Sequence, residues 1–159
     1  MPTGSWDIGG LATPVLYAAS FLLAVASGLI PFVINIELYL IAVAALAHAS
    51  PVPMVGIVTL GQMTAKFILY LSGKGVRSLE FLRRVRLDRA AAVFEKHPRH
   101  SLGVVGFSAV TGFPPFYAVS LLSGALRLPL LQFMVIGTIG RIVRFSAVYL
   151  APGLFHLAK

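Results

Sequence analysis

Four charged residues lie inside apolar stretches and are the first candidates for chemistry: Glu37, Lys66, Arg141 and Arg144. A charge at the centre of a membrane helix costs about 2.5–3.5 kcal/mol on insertion scales, so such residues usually face a cavity or a partner. Arg141 and Arg144 are three residues apart and therefore share a helical face, which Gly140 extends as a point of close helix contact. Because a guanidinium matches a phosphate with two parallel hydrogen bonds, the pair predicts an anion site facing the interior.

Glu37 and Lys66 each have two interpretations. In a functional site, Glu37 titrates and carries a proton, or it competes with the substrate for an arginine. In a structural interpretation, it forms a buried ion pair with Arg141 or Arg144. Lys66 either contributes to the anion site or extends its long stem so that its ammonium reaches the membrane interface.

The composition favours a membrane protein. The 159 residues are 58% hydrophobic and 11% charged, with a mean hydropathy of +0.90, whereas soluble domains are about 45–50% apolar and about 25% charged. Between Asp7 and Lys66 the only formally charged residue is Glu37. A membrane helix needs about 20 apolar residues. We therefore expect residues 1–159 to form a single all-α membrane domain, without a cleavable signal peptide because the N-terminus has no basic region.

The sequence contains few residues or motifs that are typical of enzymes. Cysteine is absent, which excludes disulfides, thiolate catalysis and Cys-ligated metals. The histidines have no spacing typical of a metal site, and no nucleophile elbow or paired-acid motif is present. We expect a protein that is not an enzyme and that uses no metal or cofactor.

The candidate residues must be positioned by four apolar segments. Segment one, residues 14–48, contains Gly28 to Pro31 near its middle, so we expect half-helices over about 14–28 and 32–48. Thr13 and Pro14 predict its start. Segment two, residues 53–72, is intact.

The second half of the chain repeats this pattern. Segment three, residues 101–126, is interrupted at Gly112 to Pro115, and segment four, residues 129–150, is intact. The motif G-x-x-P-F occurs at both breaks. We therefore predict two inverted repeats, about 14–73 and 101–153, each a re-entrant broken segment followed by a transmembrane helix. Whether segment three re-enters or crosses stays open, and we favour re-entry.

Paired breaks in corresponding positions are typical of transporter sites. A helix that restarts after a break presents free N–H groups and a positive dipole end. The restarts after Pro31 and Pro115 are therefore candidates to hold an anion. The predicted substrate-binding set is Glu37, Lys66, Arg141 and Arg144 with Pro31, Gly112 and Pro115.

A basic loop joins the repeats. Eight of the thirteen basic residues lie between Lys74 and Arg99. A basic cluster can indicate nucleic acid, but between apolar segments the positive-inside rule explains it better. We expect residues 74–100 to be cytoplasmic, both termini to lie outside, and no nucleic acid to bind.

Three stretches of the sequence carry a resemblance to a known family. Residues 31–37 place a proline before a glutamate, residues 61–75 form a glycine–tyrosine–glycine helix with a basic end, and residues 113–145 end in G-R-x-x-R. With these stretches the chain resembles, over about residues 20–153, the DedA superfamily (also called the VTT or SNARE-associated family), particularly its short YqaA-like branch.

The resemblance implies two re-entrant helices meeting in mid-membrane, and a flippase or scramblase that moves polyprenyl phosphates or phospholipids between leaflets of a bacterial-type inner membrane. By position, Glu37 matches the family's glutamate, and the two arginines of G-R-x-x-R match the branch's pair. The chain departs from the family at Lys66, where many members have an acid, and at Val110 and Phe116, where many have arginines. The reversed charge at Lys66 favours an anionic head group.

The sequence thus predicts a transporter of an anionic lipid. A proton-coupled or small-ion transporter using the same cavity is the alternative, and a non-transporting scaffold acting through the basic loop is the third hypothesis. The sequence leaves open which lipid is moved, in which direction, and whether the chain forms a homo-oligomer.

Overall fold

A computed structural model of the chain describes residues 8–30, 35–46, 50–75 and 98–157, and all regular structure in these ranges is α-helical. Two helices, spanning Pro51–Gly75 and Leu130–Ala151, are long and apolar enough to cross a membrane. The all-α prediction is confirmed for the described ranges. The helices are α1 (Ile8–Leu29), α2 (Ile36–Leu46), α3 (Pro51–Gly75), α4 (Pro98–Thr111), α5 (Phe116–Ala125) and α6 (Leu130–Leu157).

Segment one is broken where the sequence predicts, between the end of α1 and the start of α2. Pro31 lies outside the described residues. The predicted start at Pro14, with Thr13 as its cap, is wrong, because α1 begins at Ile8 and contains Pro14. A proline inside a helix removes one backbone donor, and in membrane helices neighbouring groups compensate for that loss.

Segment three is also broken as predicted. α4 ends at Thr111 and α5 begins at Phe116. Gly112 between them has a φ of +80°, and the Phe113–Pro114 peptide bond is cis. Most of the basic loop, residues 76–97, lies outside the described part of the chain.

The shorter helices pack on the two long helices, α3 and α6. In the first half α1 packs on α3, and in the second half α4 packs on α6. The helices that restart after the breaks are exchanged: α2 packs on α6, and α5 packs on α3. The long helices α3 and α6 contact one another as well. The long helix α3 therefore contacts the first helix of segment one and the second helix of segment three. The long helix α6 contacts the first helix of segment three and the second helix of segment one.

Glycines allow close helix contacts at corresponding places in the two halves. A Cβ on Gly61 of α3 would lie 2.6 Å from the carbonyl oxygen of Phe21 and 2.8 Å from the Cβ of Ala24, both on α1. A Cβ on Gly140 of α6 would lie 2.6 Å from the Cβ of Ala109 on α4. Any larger residue would push α1 away from α3 at Gly61, or α4 away from α6 at Gly140.

Candidate functional site

The two breaks meet at one polar cavity of about 330 Å³. The first break contributes Asn35 and Glu37, and the second contributes Gly112 and Pro115. The long helices complete the cavity with basic side chains. Six of the seven residues predicted to bind substrate therefore line one space, and only Pro31 lies outside the described residues. The six are Glu37, Lys66, Gly112, Pro115, Arg141 and Arg144.

An ion pair joins Glu37 of α2 to Arg144 of α6. Arg144 donates through Nε at 2.7 Å and through Nη2 at 2.5 Å to the same carboxylate oxygen. The Arg144 side chain is 21% exposed and that of Glu37 is 31% exposed. The ion pair expected in the structural interpretation is thus present, but it is partly exposed rather than buried. Arg144 rather than Arg141 is the partner.

Arg144 also binds the end of α4. Its Nη1 donates to the carbonyl oxygen of Val110 at 2.9 Å. Because the last four carbonyls of a helix have no partner within the helix, this bond satisfies one of them. A cation at this end also suits the negative end of the helix dipole. Arg144 therefore connects the start of α2 with the end of α4.

Gly112 is required by this arrangement. Its positive φ is one that side-chain-bearing residues rarely adopt. A Cβ there would also lie 2.9 Å from Nη1 of Arg144. Glycine thus serves the second break in two ways, through its backbone angle and through the space it leaves for the guanidinium.

Lys66 plays the corresponding role at the first break. Its Nζ donates to the carbonyl oxygen of Gly28 in the last turn of α1, at 2.7 Å. The residue is 2% exposed, so the alternative in which the side chain reaches the interface is wrong. Lys66 follows Gly61 by five residues, and Arg144 follows Gly140 by four. Each long helix thus places a cation on the end of the broken helix packed against it.

Arg141 is the third basic side chain of the cavity, and it is held differently. It is 8% exposed. Its guanidinium carbon lies 4.8 Å from the centre of the Phe116 ring and 5.5 Å from that of Phe145. Its Nε is buried and has no hydrogen-bond partner. Aromatic faces attract a cation, but they leave that donor unsatisfied.

The charges in the cavity do not balance. Among the described residues that line the cavity, Lys66, Arg141 and Arg144 face a single acid, Glu37, which leaves a formal excess of two positive charges. Isolated charges are expensive away from water unless they are paired. The cavity is therefore electrostatically suited to an anion.

Several cavity residues were not predicted from the sequence. Gln62 donates through Nε2 to the Oγ of Ser27 at 3.2 Å, and Asn35 accepts from the start of α2. Gln62 is four residues before Lys66 and therefore on the same face of α3, and this spacing was a usable signal. Phe116 also lines the cavity; it ends the second G-x-x-P-F motif, but nothing in the sequence indicated that Arg141 would lie over its ring. Among the described residues, no cluster of His, Asp and Glu is arranged to hold a metal.

No family model, no curated protein and no solved structure matches the chain. The resemblance to the DedA superfamily therefore stays a prediction.

Proposed function

We propose that the chain is an integral membrane protein that moves an anionic lipid, a polyprenyl phosphate or a phospholipid, between leaflets. The observation that carries the proposal is the cavity where the two helix breaks meet, in which the described lining residues include three basic side chains and one acid. A phosphate-bearing head group would supply the missing negative charge. The apolar remainder of a lipid would stay in the bilayer, beside helices that expose large apolar side chains.

Exposed apolar side chains support the membrane assignment. On α3, Val52 is 82% exposed and Leu60 is 61% exposed; on α6, Leu131 is 75% exposed. Such faces on two helices of spanning length are stable in lipid and costly in water. The proposed membrane is a bacterial-type inner membrane, with residues 74–100 on the cytoplasmic side.

The proposed architecture is a pair of inverted repeats with re-entrant broken segments. Three features support it: the breaks occur at corresponding positions, the restarting helices are exchanged between the long helices, and a cation of each long helix binds the last turn of a broken helix. Broken backbone within a membrane is tolerated where it lines a cavity. Both breaks line this one.

A proton-coupled transporter is the second candidate, and the position of Glu37 favours it. The carboxylate lies in the cavity, is 31% exposed and touches Arg144, so binding a proton there would break the ion pair while Arg144 keeps its bond to Val110. Glu37→Gln should then abolish dependence on a proton gradient while leaving passive lipid movement partly intact. If the gradient dependence survives in Glu37→Gln, this candidate is wrong.

Lipid translocation in liposomes tests the main proposal. Purified protein is reconstituted in liposomes with fluorescent phosphate-headed lipids. The measured rate is that at which inner-leaflet label becomes accessible to a reagent outside the liposomes, or outer-leaflet label becomes protected from it. The test variant is Arg141→Gln. The matched control is Lys74→Gln, which removes one positive charge from the exposed end of α3, outside the cavity.

We expect the wild type and Lys74→Gln to move lipid, and Arg141→Gln to be slowed by about tenfold or more, the size of a lost charge-assisted hydrogen bond. Thermal unfolding of each purified variant shows whether it is folded. Equal rates in all three folded proteins would show that the cavity does not carry the lipid. Absence of movement in the wild type, with each phosphate-headed lipid, would count against translocation itself.

A further inference from the structure

The two helices that restart at the cavity differ in how their first turns are capped. At the start of α2, the side-chain oxygen of Asn35 accepts from the backbone N–H of Glu37 at 3.0 Å and from that of Leu38 at 3.3 Å. Glu37 also places a carboxylate in this first turn. Two donors in the first turn of α2 are therefore used within the chain, and the carboxylate of Glu37 would repel an anion.

The start of α5 has neither feature. Pro115 is its N-cap residue, no side chain caps the helix, and its first turn contains no acid. The carbonyl oxygen of Pro115 accepts from Ala118 at 2.9 Å and from Val119 at 3.2 Å. The N–H of Phe116 precedes these bonded groups, and the first N–H groups of a helix have no partner within it. The positive end of the α5 dipole thus faces the cavity without a capping side chain.

Arg141 is a second and independent feature of the same place. Its guanidinium lies over the ring of Phe116, the first residue of α5. Its Nε is buried without a hydrogen-bond partner, whereas Lys66 and Arg144 donate to helix ends and Arg144 also to Glu37. A buried donor without a partner costs free energy that a bound acceptor would recover.

We infer that the cavity binds a tetrahedral oxyanion, a phosphate group, at the start of α5, between the Phe116 N–H and the guanidinium of Arg141, and not at the start of α2. The inference rests on the proposed function for the source of the phosphate, a lipid head group. The two breaks are therefore unequal: one is closed by its own cap and acid, and the other binds the ligand.

Two reciprocal substitutions test this assignment. Pro115→Asn gives α5 the cap that Asn35 gives α2. Pro115 is exposed, and its φ of −53° and ψ of 122° suit a capping residue. Asn35→Ala removes the cap of α2. Binding of inorganic phosphate to the full chain in detergent is measured by titration calorimetry at constant ionic strength, together with thermal unfolding without phosphate.

We expect Pro115→Asn to weaken phosphate binding on the order of tenfold without lowering the unfolding temperature, because the new amide occupies the space at the start of α5 where the phosphate would lie and also caps the helix. Arg141→Gln should weaken binding by a similar factor. Asn35→Ala should weaken binding less than either of these variants, even where it unfolds at a lower temperature, and Lys74→Gln, outside the cavity, should keep the wild-type affinity within about twofold. Wild-type affinity in folded Pro115→Asn, or weaker binding in Asn35→Ala alone, would overturn the assignment, as would a wild type that binds no phosphate.

A second titration separates this inference from the proposed function. A short-chain phosphatidic acid is compared with inorganic phosphate on the same proteins. If the lipid binds more tightly and shows the same pattern among the variants, both the site and its lipid source are supported. If both ligands bind with equal affinity and the variant pattern holds, the site is supported and lipid transport is not.

Discussion

The ion pair between Glu37 and Arg144 should contribute a measurable coupling energy to stability. Exposed pairs contribute about 0.2–1 kcal/mol, and breaking fully buried ones costs about 3–5 kcal/mol. Here the side chains are 31% and 21% exposed, and two N–H groups converge on one oxygen. We therefore expect a coupling of about 1–2 kcal/mol, between these limits. Arg144→Gln should also lose the bond to Val110, and so cost about 1 kcal/mol more than Glu37→Gln.

A double-mutant cycle measures this coupling. The free energy of unfolding is determined in mixed micelles for the wild type, Glu37→Gln, Arg144→Gln and the double variant. Independent substitutions are additive within about 0.3–0.5 kcal/mol. Additivity in this cycle would show that the pair does not stabilise the fold. Equal costs for the two single variants would show that the bond to Val110 contributes nothing.

Two further predictions concern helix contacts and use the same unfolding measurement. Gly61→Ala should lower stability by about 1–3 kcal/mol, because its Cβ would meet the backbone oxygen of Phe21. Gly56→Ala on the same helix, with nothing within 4 Å, should raise it by about 0.5–1 kcal/mol; equal effects would contradict the close contact at Gly61. Tyr70→Phe should cost about 1 kcal/mol, because its hydroxyl donates to Leu128 at 2.5 Å. An unchanged stability would show that this bond has no net effect.

The sequence predicted the broken segments because proline and glycine act locally. A proline removes a backbone donor and tends to clash with the preceding turn, and beside a glycine, as at Gly112 to Pro115, it marked the second break without knowledge of the fold. The start of α1 was wrong for a related reason. Thr13 and Pro14 form a good local start signal, but the apolar sequence before them continues the helix.

Residue spacing did not predict which of the two arginines pairs with Glu37. Arg141 and Arg144 differ by about 60° around the helix axis, so both fit a face that points inward. The choice depends on how α2 docks on α6, across 107 residues of sequence, and on the Val110 carbonyl that holds the far side of the Arg144 guanidinium. Contacts of this kind are set by tertiary packing, which residue spacing does not specify.

The division of work among the three cations changes how their substitutions should be interpreted. Lys66 and Arg144 each bind the end of a broken helix, so removing either would disturb the backbone that shapes the cavity as well as its charge. Arg141 is held between aromatic rings and retains an unused donor. Its loss would remove cavity charge without releasing either helix end. Transport or binding defects in Arg141 variants therefore report on the ligand, whereas the same defects in Lys66 or Arg144 variants need a stability measurement beside them.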